Sequence, residues 1–239
     1  MIRHIKRGLA LFAFLFLSSS VQAQTFVHRI DSLRKVTMQK GLSDTLLIQA
    51  YVSLSREMVK VKDAQSLQIL NKLKELGQKL NSQYVLGHYN LQSASFYYLN
   101  QNLNTALRFA EKAIVIFKKD NNKTDLIDAY NIEGLIYQSY QTWARSLMSY
   151  QKALTLCKKL NDTARYYTVT SNIALIYQYN KDYLKALAYY NKSEKYYSKI
   201  KNSNTLAVLT SNMATCYKEL KKFELAEKYY LRAISIIQK

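Results

Sequence analysis

The sequence predicts an all-α fold in which antiparallel helix pairs stack into a superhelical solenoid, and three observations carry this prediction. The 239 residues include no Pro and only 5 Gly, so they lack the residues that most often mark turns and loops. Apolar residues make up 49% of the chain, which is typical of a folded protein. The same residue types recur every forty positions, and a fixed period of this length indicates a repeat architecture.

The period is visible on several tracks in one register. A tyrosine recurs as Tyr97, Tyr137, Tyr177 and Tyr217. Three residues earlier stands a small residue: Ala94, Gly134, Ala174 and Ala214. Nine residues after the tyrosine stands another: Ala106, Ser146, Ala186 and Ala226. Small residues let neighbouring helices approach closely, and large aromatic residues fill the gaps beside them.

The predicted helix ends follow the same period. Gly and Asn tolerate the left-handed conformation that ends a helix, and they recur as Gly41, Asn81, Asn121 and Asn161. Lys201 holds the fifth position. Short polar residues that favour helix starts follow as Ser43 or Asp44, Ser82, Thr124, Asp162 and Asn204.

These boundaries divide the predicted solenoid, residues 43–239, into five helix pairs. The predicted units cover about 43–81, 82–121, 122–161, 162–201 and 202–239. Apolar residues before the first unit keep the register, since Ile30 and Leu33 precede Leu70 and Leu73 by forty. We therefore expect residues 24–42 to hold a single helix that caps the stack.

Two stretches resemble the tetratricopeptide repeat: NIALIYQYNKDYLKALAYYNKS over 172–193 and NMATCYKELKKFELAEKYYLRA over 212–233. Each has a small residue and a Tyr on a first helix, helix A, then aromatic and small residues on a second, helix B. The 91–113 and 131–153 stretches fit as well, although Glu133 stands where the family has a large apolar residue. The family period is 34 residues, whereas the period here is forty. From Tyr177 to Ser193 the spacing within a pair is the usual one of the family, so the extra residues lie between one helix B and the next helix A.

The resemblance implies a right-handed superhelix whose concave groove is lined by helices A and binds a protein or peptide. Carried onto this chain, the groove positions are His88, Ser95, Tyr98, Asp128, Asn131, Gln138, Thr168, Ser171, Asn172, Gln178, Ser211, Asn212, Thr215 and Lys218. A carboxamide donates and accepts hydrogen bonds at once, which suits the backbone of an extended peptide. Asn172 and Asn212 either bind such a ligand or bond within the helix stack, and the sequence leaves both open.

The tyrosine-rich stretch YLKALAYYNKSEKYY over 183–197 raises the alternative of an aromatic sugar-binding strip. Tyr183, Tyr190 and Tyr197 share one helical face with Leu187 at spacings of three and four. In other units the equivalent positions hold mostly apolar residues, such as Phe117 for Tyr197. The sequence therefore favours packing for these tyrosines.

The N-terminus predicts export. Arg3, Lys6 and Arg7 precede an apolar run over 9–17, and Val21-Gln22-Ala23 is a small-x-small cleavage site. We expect a signal peptide over 1–23 and a periplasmic or secreted mature chain without a transmembrane span; the alternative is a buried or interfacial N-terminal helix. Export, and lysines spread along a chain of net charge +19, argue against nucleic acid as a partner and favour a solvated basic surface.

Catalytic chemistry finds little support in the sequence. The mature chain has two histidines, His28 and His88, on different predicted elements, and the short motifs of metal, nucleophile and phosphate sites are missing from the sequence. Cys157 and Cys216 lie a whole unit apart, too far for a disulfide, which needs Cα atoms within about 7 Å. We expect no enzyme, no cofactor and no metal, and two free, largely buried thiols.

The sequence therefore favours an exported, non-enzymatic scaffold that binds a protein or peptide partner in its groove. The alternative is the sensory ectodomain of a larger membrane-bound regulator, either a histidine kinase or a helix-turn-helix transcription factor. A reading frame that continues past Lys239 into about 20 apolar residues would favour this alternative. Because Ile234 and Ile237 on the last helix lack a polar capping helix, we also expect dimerisation through that helix.

Overall fold

A computed structural model describes residues 27–238. The predicted signal peptide and the first residues of the predicted cap lie outside this range. Within it the chain is all-α, with no strand among the described residues. The helices are α1 (27–37), α2 (Asp44–Lys60), α3 (Ser66–Lys79), α4 (Gln83–Leu99), α5 (Leu103–Lys119), α6 (Lys123–Ser139), α7 (Trp143–Leu160), α8 (Thr163–Tyr179), α9 (Tyr183–Lys199), α10 (Ser203–Glu219) and α11 (Phe223–Ile237).

Polar side chains begin the helices that open each predicted unit. Ser43, Ser82 and Asp162 accept a hydrogen bond from the backbone N–H three residues on, as predicted. Each bond satisfies one of the N–H groups that a helix start leaves without a partner.

Two predicted caps are wrong. Asn122, not Thr124, caps α6, and Asn202, not Asn204, caps α10. Asn122 and Asn202 each stand forty residues from the cap Asp162, so the repeat period located the observed caps better than side-chain preference did. Asn at this position accepts the same backbone bond as Asp or Ser.

In each connection between the described helices, one residue adopts the left-handed backbone conformation, with a positive φ angle. Positive φ angles at Gly41, Asn81, Asn121 and Asn161 confirm the predicted helix ends. Non-glycine residues adopt the same conformation at the remaining connections: Lys62, Gln101, Gln141, Lys181, Lys201 and Lys221. This conformation costs about 1–2 kcal/mol for most residues. Backbone bonds of the helix-ending type stabilise it, as where Asp182 N–H donates to the Tyr177 carbonyl at 2.9 Å.

The chain separates into two compact units, one ending at Asn102 and one beginning at Leu103. In the first unit, Ile30 of α1 packs on Leu54 and Met58 of α2. Arg34 holds the same end by donating to Asp63 at 3.2 Å and to Gln65 at 2.9 Å. Thus α1 covers the face that α2 would otherwise expose.

In the second unit, short connections make consecutive helices antiparallel. Helix α6 packs on α7, α8 on α9, and α10 on α11. The helices α5, α7 and α9 also pack on the next helix along the chain, and α6, α8 and α10 contact one another in series. This is a stack of helix pairs in which α6, α8 and α10 are the A helices and α7, α9 and α11 are the B helices.

Aromatic residues of the B helices fill the core of this unit. Tyr190 and Tyr197 are buried, and they form a cluster with Leu187 of the same helix and with Met213 and Cys216 of α10. The other tyrosines of the 183–197 stretch pack against the cluster while partly exposed. The predicted packing role of this stretch is confirmed.

The two cysteines are free and buried, as predicted. Burial is the main cause that raises the pKa of both Cys157 and Cys216, to about 11. Thiols with such a pKa stay protonated and unreactive near neutral pH. In the described part of the chain, no helix combines the length and apolar character needed to cross a membrane.

The small-residue track sets how closely each A helix meets its B helix. Gly134 of α6 lies so close to Tyr150 of α7 that a Cβ atom would overlap the tyrosine ring. The Ser146 hydroxyl also donates to the Gly134 carbonyl at 2.7 Å. Tyr150 is fully buried, so its ring has little room to move.

Gly134→Ala is therefore expected to lower the free energy of unfolding by about 1–3 kcal/mol, which is the usual cost of overpacking. The higher helix propensity of Ala offsets at most about 1 kcal/mol of this loss. Urea unfolding measures the change. The double variant with Tyr150→Leu supplies the control, because removing the ring should make the alanine far less costly. An equal cost with and without the ring would contradict the close approach.

Candidate functional site

Eleven of the predicted groove residues lie on three A helices that contact one another. On each helix most of them stand three, four or seven residues from another member, and such spacing places them on one side of the helix. We call this set the helix-A face: Asp128, Asn131 and Gln138 on α6; Thr168, Ser171, Asn172 and Gln178 on α8; Ser211, Asn212, Thr215 and Lys218 on α10. All of them are exposed or half-buried, so a ligand can reach them.

The other three predicted residues lie on α4, in the first unit. His88 is only 1% exposed, with its ring 4.5 Å from that of Tyr84 in an edge-on arrangement. Ser95 donates to the Leu91 carbonyl at 3.2 Å, and Tyr98 is half-buried. The enclosure of His88 gives no support to a ligand-facing role for this side chain.

Asparagines of neighbouring A helices form a pair on the helix-A face. The Asn172 side-chain nitrogen Nδ2 donates to Asn131 Oδ1 at 2.8 Å. Bonding within the stack, one of the two alternatives left open by the sequence, is thus real for Asn172. This bond uses the Asn172 NH₂ group and the Asn131 oxygen. As far as the described residues show, the Asn131 NH₂ group and the Asn172 oxygen stay open to other partners.

Glutamines of the face are held by tyrosines that rise from the core. The Tyr150 hydroxyl donates to Gln138 Oε1 at 3.2 Å, and the Tyr190 hydroxyl donates to Gln178 Oε1 at 2.7 Å. Burial raises the pKa of Tyr190, and a hydrogen bond with Asn212 acts in the opposite direction. The Tyr190 hydroxyl therefore joins Gln178 of α8 to Asn212 of α10.

Two hydroxyls of the face meet tyrosines of the B helices in the same way. Thr168 Oγ1 lies 3.0 Å from the Tyr197 hydroxyl, and Thr215 Oγ1 lies 3.1 Å from that of Tyr230. Sequence analysis took Tyr197 for a packing residue only and did not consider Tyr230. The available signal was a Tyr, rather than a Phe, at core positions of successive units.

An ion pair joins the starts of α6 and α8. Arg165 donates from Nε and Nη2 to the two Asp128 carboxylate oxygens at 2.8 and 3.0 Å. It also donates to Asp162 at 2.7 Å. Burial acts to raise the pKa of Asp162, but the hydrogen bonds and charge of Arg165 outweigh it and lower that pKa. Sequence analysis placed Asp128 on the face and missed its partner.

The helix-A face thus carries little free charge. Asp128 is matched by Arg165, and exposed Lys218 lies 3.3 Å from the carboxylate of Glu219. Amides and hydroxyls make up the rest of the face. Such a surface suits uncharged hydrogen-bonding groups better than an anionic ligand.

Basic residues of the B helices lie over aromatic rings instead. Lys192 Nζ is 5.2 Å from the Tyr189 ring centroid, and the Arg232 guanidinium is 5.9 Å from that of Tyr229. Contacts of this kind are favourable by about 0.5–1 kcal/mol at exposed sites. They give part of the positive charge a structural role. The described residues include no cluster of His, Cys, Asp and Glu suited to a metal ion.

Comparisons with known proteins agree with this architecture. The chain has a tetratricopeptide-like helical-repeat fold, as its stacked helix pairs and its structural neighbours both show. The family model described as tetratricopeptide repeat matches residues 162–239, the stretch that holds α8 to α11. A search of curated proteins by sequence finds none that matches.

Solved structures share the fold at low sequence identity. BtubC (BKLC) from P. vanneervenii superposes with a TM-score of 0.70 at 18% identity, over 91% of this chain and 90% of that one. A signal transduction ATPase with numerous domains from Pyrococcus horikoshii, which has a tetratricopeptide repeat sensor, gives 0.68 at 22%, over 93% and 35%. NprR in complex with its cognate peptide NprX gives 0.67 at 20%, over 95% and 66%. This chain spans about a third of the Pyrococcus protein.

Proposed function

We propose that the chain is a non-enzymatic scaffold that binds an extended peptide or protein segment along the helix-A face. The observation that carries this proposal is the Asn131–Asn172 pair. Each carboxamide uses one polar end to bond the other residue. Both asparagines are half-buried, and the second polar end of each is open to a ligand. A peptide bond has one donor and one acceptor, which such a pair complements.

The charge and chemistry of the face support a peptide held by its main chain. Binding of a C-terminal carboxylate would be favoured by an excess of cations on the face. The face has no such excess, because Arg165 is paired with Asp128. The structure of NprR with its cognate peptide also supports the proposal, since NprR has a similar fold and binds a peptide. The absence of a recognised catalytic motif in the sequence supports a binding role rather than a catalytic one.

Removing a face asparagine is expected to weaken peptide binding. Asn131→Ala, Asn172→Ala and Asn212→Ala should each lower the affinity about fivefold, because a hydrogen bond contributes about 1 kcal/mol. Calorimetry would use a peptide selected on the wild-type chain from a random library. Asn191→Ala on α9 is the control and should bind normally. Unchanged affinity in all three face variants would place the ligand elsewhere.

Export is proposed from the N-terminal sequence. Cationic residues, an apolar run and the Val21-Gln22-Ala23 site occur in the order of a signal peptide. Expression in a bacterium should yield a mature protein that begins at Gln24, as N-terminal sequencing would establish. A chain that retains Met1 in the cytoplasm would contradict export.

A sensory role in a larger membrane-bound regulator is the second candidate. The tetratricopeptide repeat sensor of the Pyrococcus protein is the observation that favours it, because its fold is similar and forms part of a longer chain. Both candidates use the same binding face. A reading frame that runs on past Lys239 into a membrane helix and a kinase or DNA-binding output would decide for the sensor.

Dimerisation is proposed through α11. Ile237 is 41% exposed, whereas Tyr197 and Cys157, at the same position of earlier units, are 7% and 1% exposed. The earlier residues lie against the next A helix. An apolar stripe of this kind, which includes Ile234 and Phe223, favours association. Sedimentation equilibrium should show a dimer that Ile237→Lys dissociates; a monomeric wild-type chain would contradict the proposal.

A further inference from the structure

Hydrogen bonds to Tyr190 determine which end of two face carboxamides is open. The hydroxyl proton of Tyr190 goes to Gln178 Oε1, at 2.7 Å. Since that proton is used, the bond between Asn212 and the same hydroxyl is donated by the Asn212 NH₂ group. Gln178 then has its NH₂ group left for the surface, and Asn212 has its oxygen left.

The same division of donor and acceptor occurs twice more on the face. Tyr150 donates to Gln138 Oε1 at 3.2 Å, which leaves the Gln138 NH₂ group open. Asn172 donates to Asn131 Oδ1, which leaves an NH₂ group on α6 and an oxygen on α8. From α6 to α10 the face therefore offers donors and acceptors of fixed identity on neighbouring helices.

The Tyr190 hydroxyl needs hydrogen-bond partners because the residue lies in the core. The residue is fully buried, and burying a hydroxyl is unfavourable unless it is hydrogen-bonded. A phenylalanine would fill the same space without that requirement. Among the described residues, the hydrogen-bond partners of this hydroxyl are Gln178 on α8 and Asn212 on α10.

We propose that the Tyr190 hydroxyl is a positioning group that sets the donor–acceptor polarity of the helix-A face, so that Gln178 offers N–H groups and Asn212 offers an oxygen to the main chain of an extended peptide. This inference rests on the proposed function and names its ligand groups. Tyr150 does the same for Gln138 one unit earlier.

Fixing the two carboxamides in advance lowers the entropy cost of binding. Immobilising a flexible side chain on binding weakens affinity, and two such side chains together correspond to about tenfold. Tyr190→Phe should therefore weaken binding by about tenfold. Tyr189→Phe is the matched control, because Tyr189 is the adjacent residue and contacts Tyr177 and Lys192 rather than the face.

The first experiment needs no ligand. Side-chain ¹⁵N relaxation of the free protein measures the order of the Gln178 and Asn212 carboxamides in the wild type and both variants. We expect ordered side chains in the wild type and in Tyr189→Phe, and a clear loss of order in Tyr190→Phe. Equal order in all three would overturn the positioning role. Should Tyr190→Phe fail to fold, Tyr150→Phe with Gln138 as the reporter gives the same test.

The second experiment uses a capped, uncharged peptide, acetyl-Ala-Ser-Ala-Ser-Ala-amide, titrated at millimolar concentration and followed by the same side-chain signals. We expect saturable shifts of Gln178 and Asn212 in the wild type, weakened about tenfold by Tyr190→Phe and unchanged by Tyr189→Phe. Equal affinity in Tyr190→Phe would overturn the inference. Absence of binding to the wild type would contradict main-chain recognition on the face, while the relaxation result would still decide whether Tyr190 orders it.

Discussion

The close approach of each A helix to its B helix is the constraint on which the second unit depends. At Gly134 there is no space for a Cβ beside the Tyr150 ring. The Tyr150 ring is therefore held in the core of the helix pair, where it is fully buried. The hydroxyls of Tyr150 and Tyr190 meet Gln138 and Gln178 on the helix-A face. Packing in the core and the chemistry of the surface are therefore set by the same residues.

Much of the fold could be predicted because the repeat shows each position several times. One unit alone would not have distinguished packing tyrosines from binding ones, but Phe117 and Cys157 in the slot of Tyr197 did, and all three are buried. Left-handed helix ends at Asn81 and Asn161 were predictable from residue preference. Those at Lys181 and Lys221 were not, because lysine has no such preference and the backbone bonds of the connection impose the conformation.

The site was predicted less completely, for a physical reason. The resemblance identified the residues of the A helices, and the structure places eleven of them on contacting helices. Hydrogen bonds between helices are invisible in a sequence, so the Arg165–Asp128 pair and the tyrosine contacts were missed. His88 occupies a slot that holds Asp128 in the next unit, yet it is buried whereas Asp128 is half-exposed. Register alone does not determine exposure.

The central claim is that an extended peptide lies along the helix-A face of α6, α8 and α10. A structure of the complex with a selected peptide, or backbone and side-chain NMR shifts on its addition, tests this claim most directly. We expect the contacts and shifts to concentrate at Asn131, Asn172, Gln178 and Asn212, with the peptide main chain bonded to these carboxamides. A peptide seated on the B helices α7, α9 and α11, with these four residues unaffected, would contradict it.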